Sequence, residues 1–447
     1  MALSSPGTAP APETRMRRAR TGVALLFLTN GALFANLLPR YPEIKADLEL
    51  SNAQFGLAVA AFPLGALVAG LGAAALIRRF GSGAVAVTGT VATGTGVLLA
   101  GLAPSWALLA LALLAAGAAD AVTDVGQNSH GLRVQRLYRR SILNSFHAVW
   151  SIGAVLGGLM GAGAIMAGLS RGVHLGISCL LFAGVALTAH RLLLSGPNPR
   201  SASGGPADDG RIGIPRPGPR TWAVLVALVL IATSGALVED AGSTWAAVYL
   251  SGSLGAAAPV AALGFVALVG AQFVGRLAGD RLVDRFGQRA VARAGGLIVL
   301  TGMGLALALP SVPGTVAGFA AAGFGVATLV PAAMHTADEL PGLRHGTGLT
   351  VVSWLMRLGF LCSPPLVGLV ADATSVRTGL LVVPVAGVLV VVLAAVLPAR
   401  QAAPGSGARA TAAADGTSVR GPAGAAGGPR TGHDGTGGDA GHDTGRR

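Results

Sequence analysis

Asp120, Asp124 and Asn128 follow one another at four-residue spacing inside an otherwise apolar stretch. At that spacing the three side chains share one face of a helix. A carboxylate there can take up and release a proton, and His147 in the next apolar stretch is a titratable neighbour for Asp124. The alternative is that Asp124 and Asn128 cap a helix end. Arg357 stands in a later apolar stretch. Its guanidinium stays charged in any protein environment, so it requires a counter-ion or an anionic ligand. Arg357 is therefore expected to pair with Asp120 or to seat an anionic solute group, with a static pair near its own place in the chain as the alternative.

Other polar residues in apolar stretches extend this set. Glu239 and Asp240 are adjacent and point to different faces, so one is expected to line a cavity and the other to meet water. Asn30 and Asn36 are amides that either hydrogen-bond a polar solute or tie two helices together. Trp150, Trp245 and Trp354 offer flat faces for a sugar or aromatic solute, with an interfacial position the alternative for Trp245. No His-Glu-x-x-His, Gly-x-Ser-x-Gly or Gly-x-x-x-x-Gly-Lys-Ser/Thr motif occurs. Zinc hydrolysis, serine hydrolysis and ATP-driven pumping thus lack their machinery. Cys179 and Cys362 both lie in apolar stretches, so neither a metal cluster nor a disulfide is expected, and no cofactor is implied.

What positions these residues is a hydrophobic framework. The 447-residue chain is 52% hydrophobic and 11% charged, with mean hydropathy +0.65. A soluble protein carries about 25% charged residues, so much of this surface is expected to face lipid. Apolar windows fall near 21–39, 53–77, 84–103, 105–128, 142–167, 172–194, 221–250, 257–278, 290–309, 313–334, 347–371 and 376–397. Each is long enough to cross a hydrocarbon core of about 30 Å. On this frame Arg357 and Asn30 lie near mid-depth, Asp124 lies toward the inner end, and Glu239, Asp240 and Asn36 lie toward the outer end.

The net charge of +13 points to membrane orientation rather than to nucleic acid, because the arginines sit between apolar windows. Arg15, Arg17, Arg18, Arg20, Arg78, Arg79, Arg133, Arg136, Arg139, Arg140, Arg281, Arg285 and Arg289 cluster on alternate loops, and the segment 195–220 adds four more. Twelve spans place both termini in the cytoplasm and the protein in the cytoplasmic membrane. Residues 1–20 read as a polar cytoplasmic segment without a cleavable signal, 21–194 and 221–397 as two six-helix halves, 195–220 as a linker, and 398–447 as a disordered tail in which His433 and His442 are not expected to bind metal. Arg79-Phe80-Gly81, Ala84-Val85-Ala86 and Gly89 recur as Arg285-Phe286-Gly287, Ala290-Val291-Ala292 and Gly295, at equivalent places in the two halves. Gly153, Gly157 and Gly161 present a smooth helix face, suited to close packing and to one half sliding on the other.

The segment from Gly279 through Asp284, Arg285 and Gly287 resembles the loop motif of the major facilitator superfamily, and further matches resemble its fucose-permease-like group. These include Asn30-Gly31, Asp124 through Asn128, Ser145-Phe146-His147, Trp150-Ser151, Glu239, Trp245 through Leu250, Leu358 through Leu361, Pro364-Pro365 and Ala371 through Thr374. The resemblance implies an all-α fold of twelve helices in two pseudo-symmetric bundles and a monomeric secondary transporter in the lipid bilayer. It also implies a cytoplasmic latch in which Asp284 meets a helix terminus, Arg285 a carboxylate, and Gly287 makes the turn, with Arg79 and Gly81 as the first-half copy. Arg78 departs from the pattern by replacing an acidic residue, Thr244 replaces an acidic residue before Trp245, and Arg357 replaces an uncharged one. Gly157-Gly158 replaces the Gly-Pro pair of drug antiporters. The expected cargo is a small organic solute (a sugar, organic acid or secondary metabolite), moved with protons by alternating access; export of a metabolite or drug-like compound, and a non-transporting membrane sensor, are the alternative functions.

Overall fold

The computed structural model describes residues 12–138, 142–194, 217–344 and 346–399. The expected linker up to residue 216, the tail from residue 400 with His433 and His442, residues 1–11, and Arg139 and Arg140 lie outside the described residues.

Among the described residues twelve helical spans are long and apolar enough to cross a membrane. The first six are Glu13–Asp47, Asn52–Phe80, Ser82–Gly101, Trp106–Tyr138, Ser145–Met166 and Arg171–Leu192. The last six are Pro219–Ser253, Ala258–Phe286, Gln288–Ala308, Val312–Asp338, Thr347–Ala373 and Val376–Val396. The third and fourth spans, separated in sequence by a few polar residues, are distinct helices.

Local chemistry sets the ends. Ser51, Ser170, Ser311 and Ser375 each cap a helix start by accepting a backbone N–H, and Ser51 completes a capping box with Gln54. At the other end, here called the arginine-rich end, Gly81 and Gly287 join consecutive spans with φ of 84° and 83°. Their ψ values, 149° and 155°, match as well, so the repeated Arg-Phe-Gly segment adopts one backbone form twice.

Several spans are interrupted, the first and twelfth near their ends opposite the arginines and the tenth and eleventh nearer their middles. The tenth divides into Val312–Val326 and Leu329–Asp338, and the eleventh into Thr347–Leu355 and Arg357–Ala373. The seventh ends in a single π-turn, Tyr249–Ser253.

Packing between the first and last six spans is concentrated at the end opposite the arginines. There the second span packs on Arg357–Ala373, a methyl at Gly56 would collide with the Pro364 carbonyl, and one at Gly368 with that of Asn52. The Tyr41, Phe55 and Trp245 rings meet edge to face at 5.1 and 5.5 Å across the same junction. Thr347–Leu355, nearer the arginines, packs chiefly on the seventh, tenth and eleventh spans. The glycine expectation is corrected here: Gly153 and Gly157 face the Leu28 and Ala32 carbonyls of the first span, within one half, while Gly158 meets Phe265 and Val266 of the other.

Candidate solute-binding site

The fourth helix runs 33 residues, from Trp106 to Tyr138, so Asp120 and Asp124 straddle its middle. Capping by Asp124 and Asn128 is thereby excluded, because the helix continues for about three turns beyond them. Asn128 instead donates its amide to the Asp124 carboxylate at 2.9 Å.

Asn30 joins three helices. Its amide nitrogen donates to Asp120 Oδ1 at 2.6 Å, and its oxygen accepts from Trp150 Nε1 at 2.9 Å and Gln127 Nε2 at 3.3 Å. Gln127 also reaches Asp124 Oδ1 at 3.3 Å and is fully buried. Sequence reading missed Gln127 because a glutamine one residue before a polar face carries no charge signal. The network orients Asp120 and Asp124 from the first, fourth and fifth spans, which is how a polar site is held in a low-dielectric interior.

The opposing wall comes from the last six spans. Glu239 accepts from Gln272 at 2.6 Å and lies 3.7 Å from Arg276, which donates to Ser151 Oγ at 3.4 Å. Arg276 thus links the eighth span to the fifth. It escaped the sequence search because the apolar window ends at 278, making it look interfacial. The helix continues to Phe286, which places Arg276 about 15 Å inside that end.

Arg357 is exposed and, among the described residues, makes no hydrogen bond or ion pair. Its charge acts on Asp124, as does that of His147, while Arg276 acts on His147. The expected Arg357–Asp120 pair is not formed: Asp120 is held by Asn30, and Arg357 makes no ion pair among the described residues. His147 is exposed, with its ring edge-to-face on Phe27 at 5.2 Å. Charged side chains of both halves therefore lie near the middle of their spans, and Arg357 among them is exposed, as is His147.

Several expected site residues lie elsewhere. Asn36 is buried, bonded to His174 at 2.9 Å and to the Ala32 carbonyl, so it ties the first span to the sixth. Trp245 is fully buried against Phe55, neither stacked in a cleft nor set in an interfacial belt. Asp240 does not meet water through Oδ2, which is buried without a hydrogen-bond partner. Trp354 remains half exposed, three residues from Arg357. A cavity of about 290 Å³ at the arginine-rich end is lined by Gly81, His130 and Arg133 and includes none of Asp120, Asp124, Glu239, Arg276 and Arg357. Cys179 and Cys362 are free.

The family model for the Major Facilitator Superfamily matches residues 23–282 and 241–426. The chain belongs to the major facilitator superfamily. An uncharacterised transporter of Sinorhizobium fredii, y4wD, is 31% identical over 86% of this superfamily chain and all of its own length. The membrane protein MosC of Rhizobium meliloti is 28% identical over 83% of this chain and 88% of its own. Solved structures of the superfamily share the fold. The nucleoside transporter NupG has TM-score 0.66 at 12% identity, covering 84% of this chain and 98% of its own. A D-xylose–proton symporter has TM-score 0.66 at 15% identity, covering 86% and 98%. A bacterial homologue of the lysosomal transporter Spinster, solved inward-facing and unoccupied, has TM-score 0.66 at 16% identity, covering 87% and 98%.

In the segment that resembles the superfamily's loop motif, the expected latch contacts of Asp284 and Arg285 are not made. Asp284 and Arg285 are exposed and make no ion pair among the described residues. Arg285 lies over the Phe286 ring at 5.3 Å, and Arg79 over Phe80 at 5.4 Å. Gly81 and Gly287 do make the expected turns.

Proposed function

We propose that this superfamily transporter moves a small polar organic solute across the cytoplasmic membrane by alternating access, coupled to protons, with both termini in the cytoplasm. The observation that carries the reading is the Asn30–Asp120–Gln127–Trp150 network near the middle of the first six spans, with Arg276 and Arg357 near the middle of theirs in the last six, which in this reading line one cleft. Ionisable groups kept at that depth mark a solute or proton path. Discontinuous spans around a midplane site, here the tenth and eleventh, are what alternating-access folds use.

The arginine-rich end faces the cytoplasm under the positive-inside rule. With inter-half packing concentrated at the opposite end and the latch disengaged, the described state is the inward-facing one. Asp120 and Asp124 are the proton carriers in this reading, and Asn30, Gln127 and Trp150 hold them in register. The fold shared with a sugar–proton symporter and a nucleoside transporter supports a small hydroxylated solute. Proteoliposomes test the whole reading: uptake and efflux are followed under an imposed pH gradient over sugars, sugar acids and hydrophobic cations. Saturable uptake that collapses when the gradient is dissipated is the expected result. Transport indifferent to the gradient would remove proton coupling, and gradient-driven release alone would reverse the direction.

A further inference from the structure

Four charged positions of the cleft have their partners within the protein. Asp120 is held by Asn30, Asp124 by Gln127 and Asn128, Glu239 by Gln272, and Arg276 by Glu239 and Ser151. Arg357 is different. It is exposed, makes no hydrogen bond or ion pair among the described residues, and opens the second segment of the interrupted eleventh span. It does not face lipid: Pro364 and Gly368, seven and eleven residues further along the same helix face, meet Gly56 and Asn52 of the second span. A guanidinium at this depth holds five N–H donors in a planar fork whose natural complement is a bidentate oxyanion. Hydration cannot replace that complement once the cleft closes around a solute, since an unpaired charge in a dry interior is costly.

The opposite wall has the reverse character. Asp120 and Asp124 present carboxylate oxygens, so a group that meets them must donate hydrogen bonds. Resting on the transporter reading above, we propose that the cleft takes a small carboxylate, seated on Arg357 with Arg276 as the adjacent cation, whose far end carries hydrogen-bond donors directed at Asp120 and Asp124. Hydroxyls of a sugar acid and the ammonium of an amino acid both supply those donors. A neutral sugar satisfies the acidic wall and leaves the Arg357 fork unmet.

Purified protein in detergent micelles, assayed by thermal stabilisation, tests this with matched pairs: D-galacturonate against D-galactose, gluconate against glucitol, and L-serine against serinol. The same radiolabelled compounds are followed into proteoliposomes. Carboxylates are expected to stabilise and enter while their neutral or purely cationic counterparts do not. Arg357→Gln should lower carboxylate uptake at least tenfold, and Arg357→Lys should recover part of it. The sugar-acid and amino-acid arms identify which donor the acidic wall prefers. Entry of galactose or glucitol at rates equal to the acids, unaffected by Arg357→Gln, overturns the carboxylate assignment and leaves transport standing. A panel in which no carboxylate binds overturns it equally. Binding of carboxylates without entry retains the subsite and instead refutes the transporter reading.

Discussion

The carboxylate of Asp372 accepts the backbone N–H groups of Asn52 and Ala53, each at 2.8 Å, and so caps the second span from the eleventh. An anion at a helix N-terminus is favoured by the exposed donors and the helix dipole. Here the anion and the helix belong to different halves of the transporter, and Lys45 adds its charge nearby. Opening that end of the bundle has to break both bonds. Losing a cap costs about 1 kcal/mol, so Asp372→Ala is expected to move the ratio of closed to open at this end about fivefold. Thiol labelling of a cysteine placed at Ala53 in otherwise Cys-free protein reads this directly. Equal labelling rates with and without the substitution would show that the cap does not hold the end shut.

Asn30 satisfies three partners at once. Its replacement by alanine leaves Asp120 and Trp150 without that bond and Gln127 with only its bond to Asp124, and unsatisfied buried groups cost about 1–3 kcal/mol apiece. Asn30→Ala should therefore lower the thermal unfolding midpoint in detergent by several degrees and abolish solute counterflow. Gln127→Ala, which removes one contact to Asn30 and one to Asp124, should do the same to a smaller degree.

Neighbouring glycines separate packing within a half from packing between halves. Gly157→Val drives a side chain into the Ala32 carbonyl and should reduce folded yield. Gly158→Val meets the Phe265 and Val266 side chains of the other half, so it should leave the halves folded and push them apart at the outer end. Size-exclusion profiles and outer-end labelling distinguish the two; identical behaviour of both variants would contradict the assignment of faces.

Gly81 and Gly287 occupy backbone that residues with a Cβ rarely adopt. Either one changed to alanine should cost about 1–2 kcal/mol through strain in the turn. Asp284→Asn removes a charge with no ion pair in this state, so it should leave stability unaltered; if Asp284 serves the proposed latch when the arginine-rich end closes, the substitution slows turnover. A melting curve and a turnover assay on the same preparation check both halves of this statement.

Hydropathy was legible because crossing a bilayer demands about 20 apolar residues per span, and no tertiary contact alters that requirement. Twelve spans, the repeated Arg-Phe-Gly turn and the polar fourth helix accordingly follow from sequence, as does membership of the major facilitator superfamily. Asn30, Asp120, Asp124, His147 and Arg357 stand out by one filter, the cost of a polar group in an apolar run, and Trp150 by its flat face for stacking. The same filter missed Arg276, because helices extend beyond the bilayer-length window and the apolar run ended before the helix did.

Partner choice was decided by the tertiary structure alone. Asn30 and Asn36 are the same residue type on the same helix, yet one holds the cleft carboxylate and the other a buried histidine. Trp245 is buried because Phe55 arrives from the other half, and Asp120 is held by Asn30 of the first span rather than by Arg357. Periodicity specifies which face a side chain occupies on its own helix. Which helix covers that face depends on how twelve spans pack, and for that only the folded chain brings the distances below 4 Å.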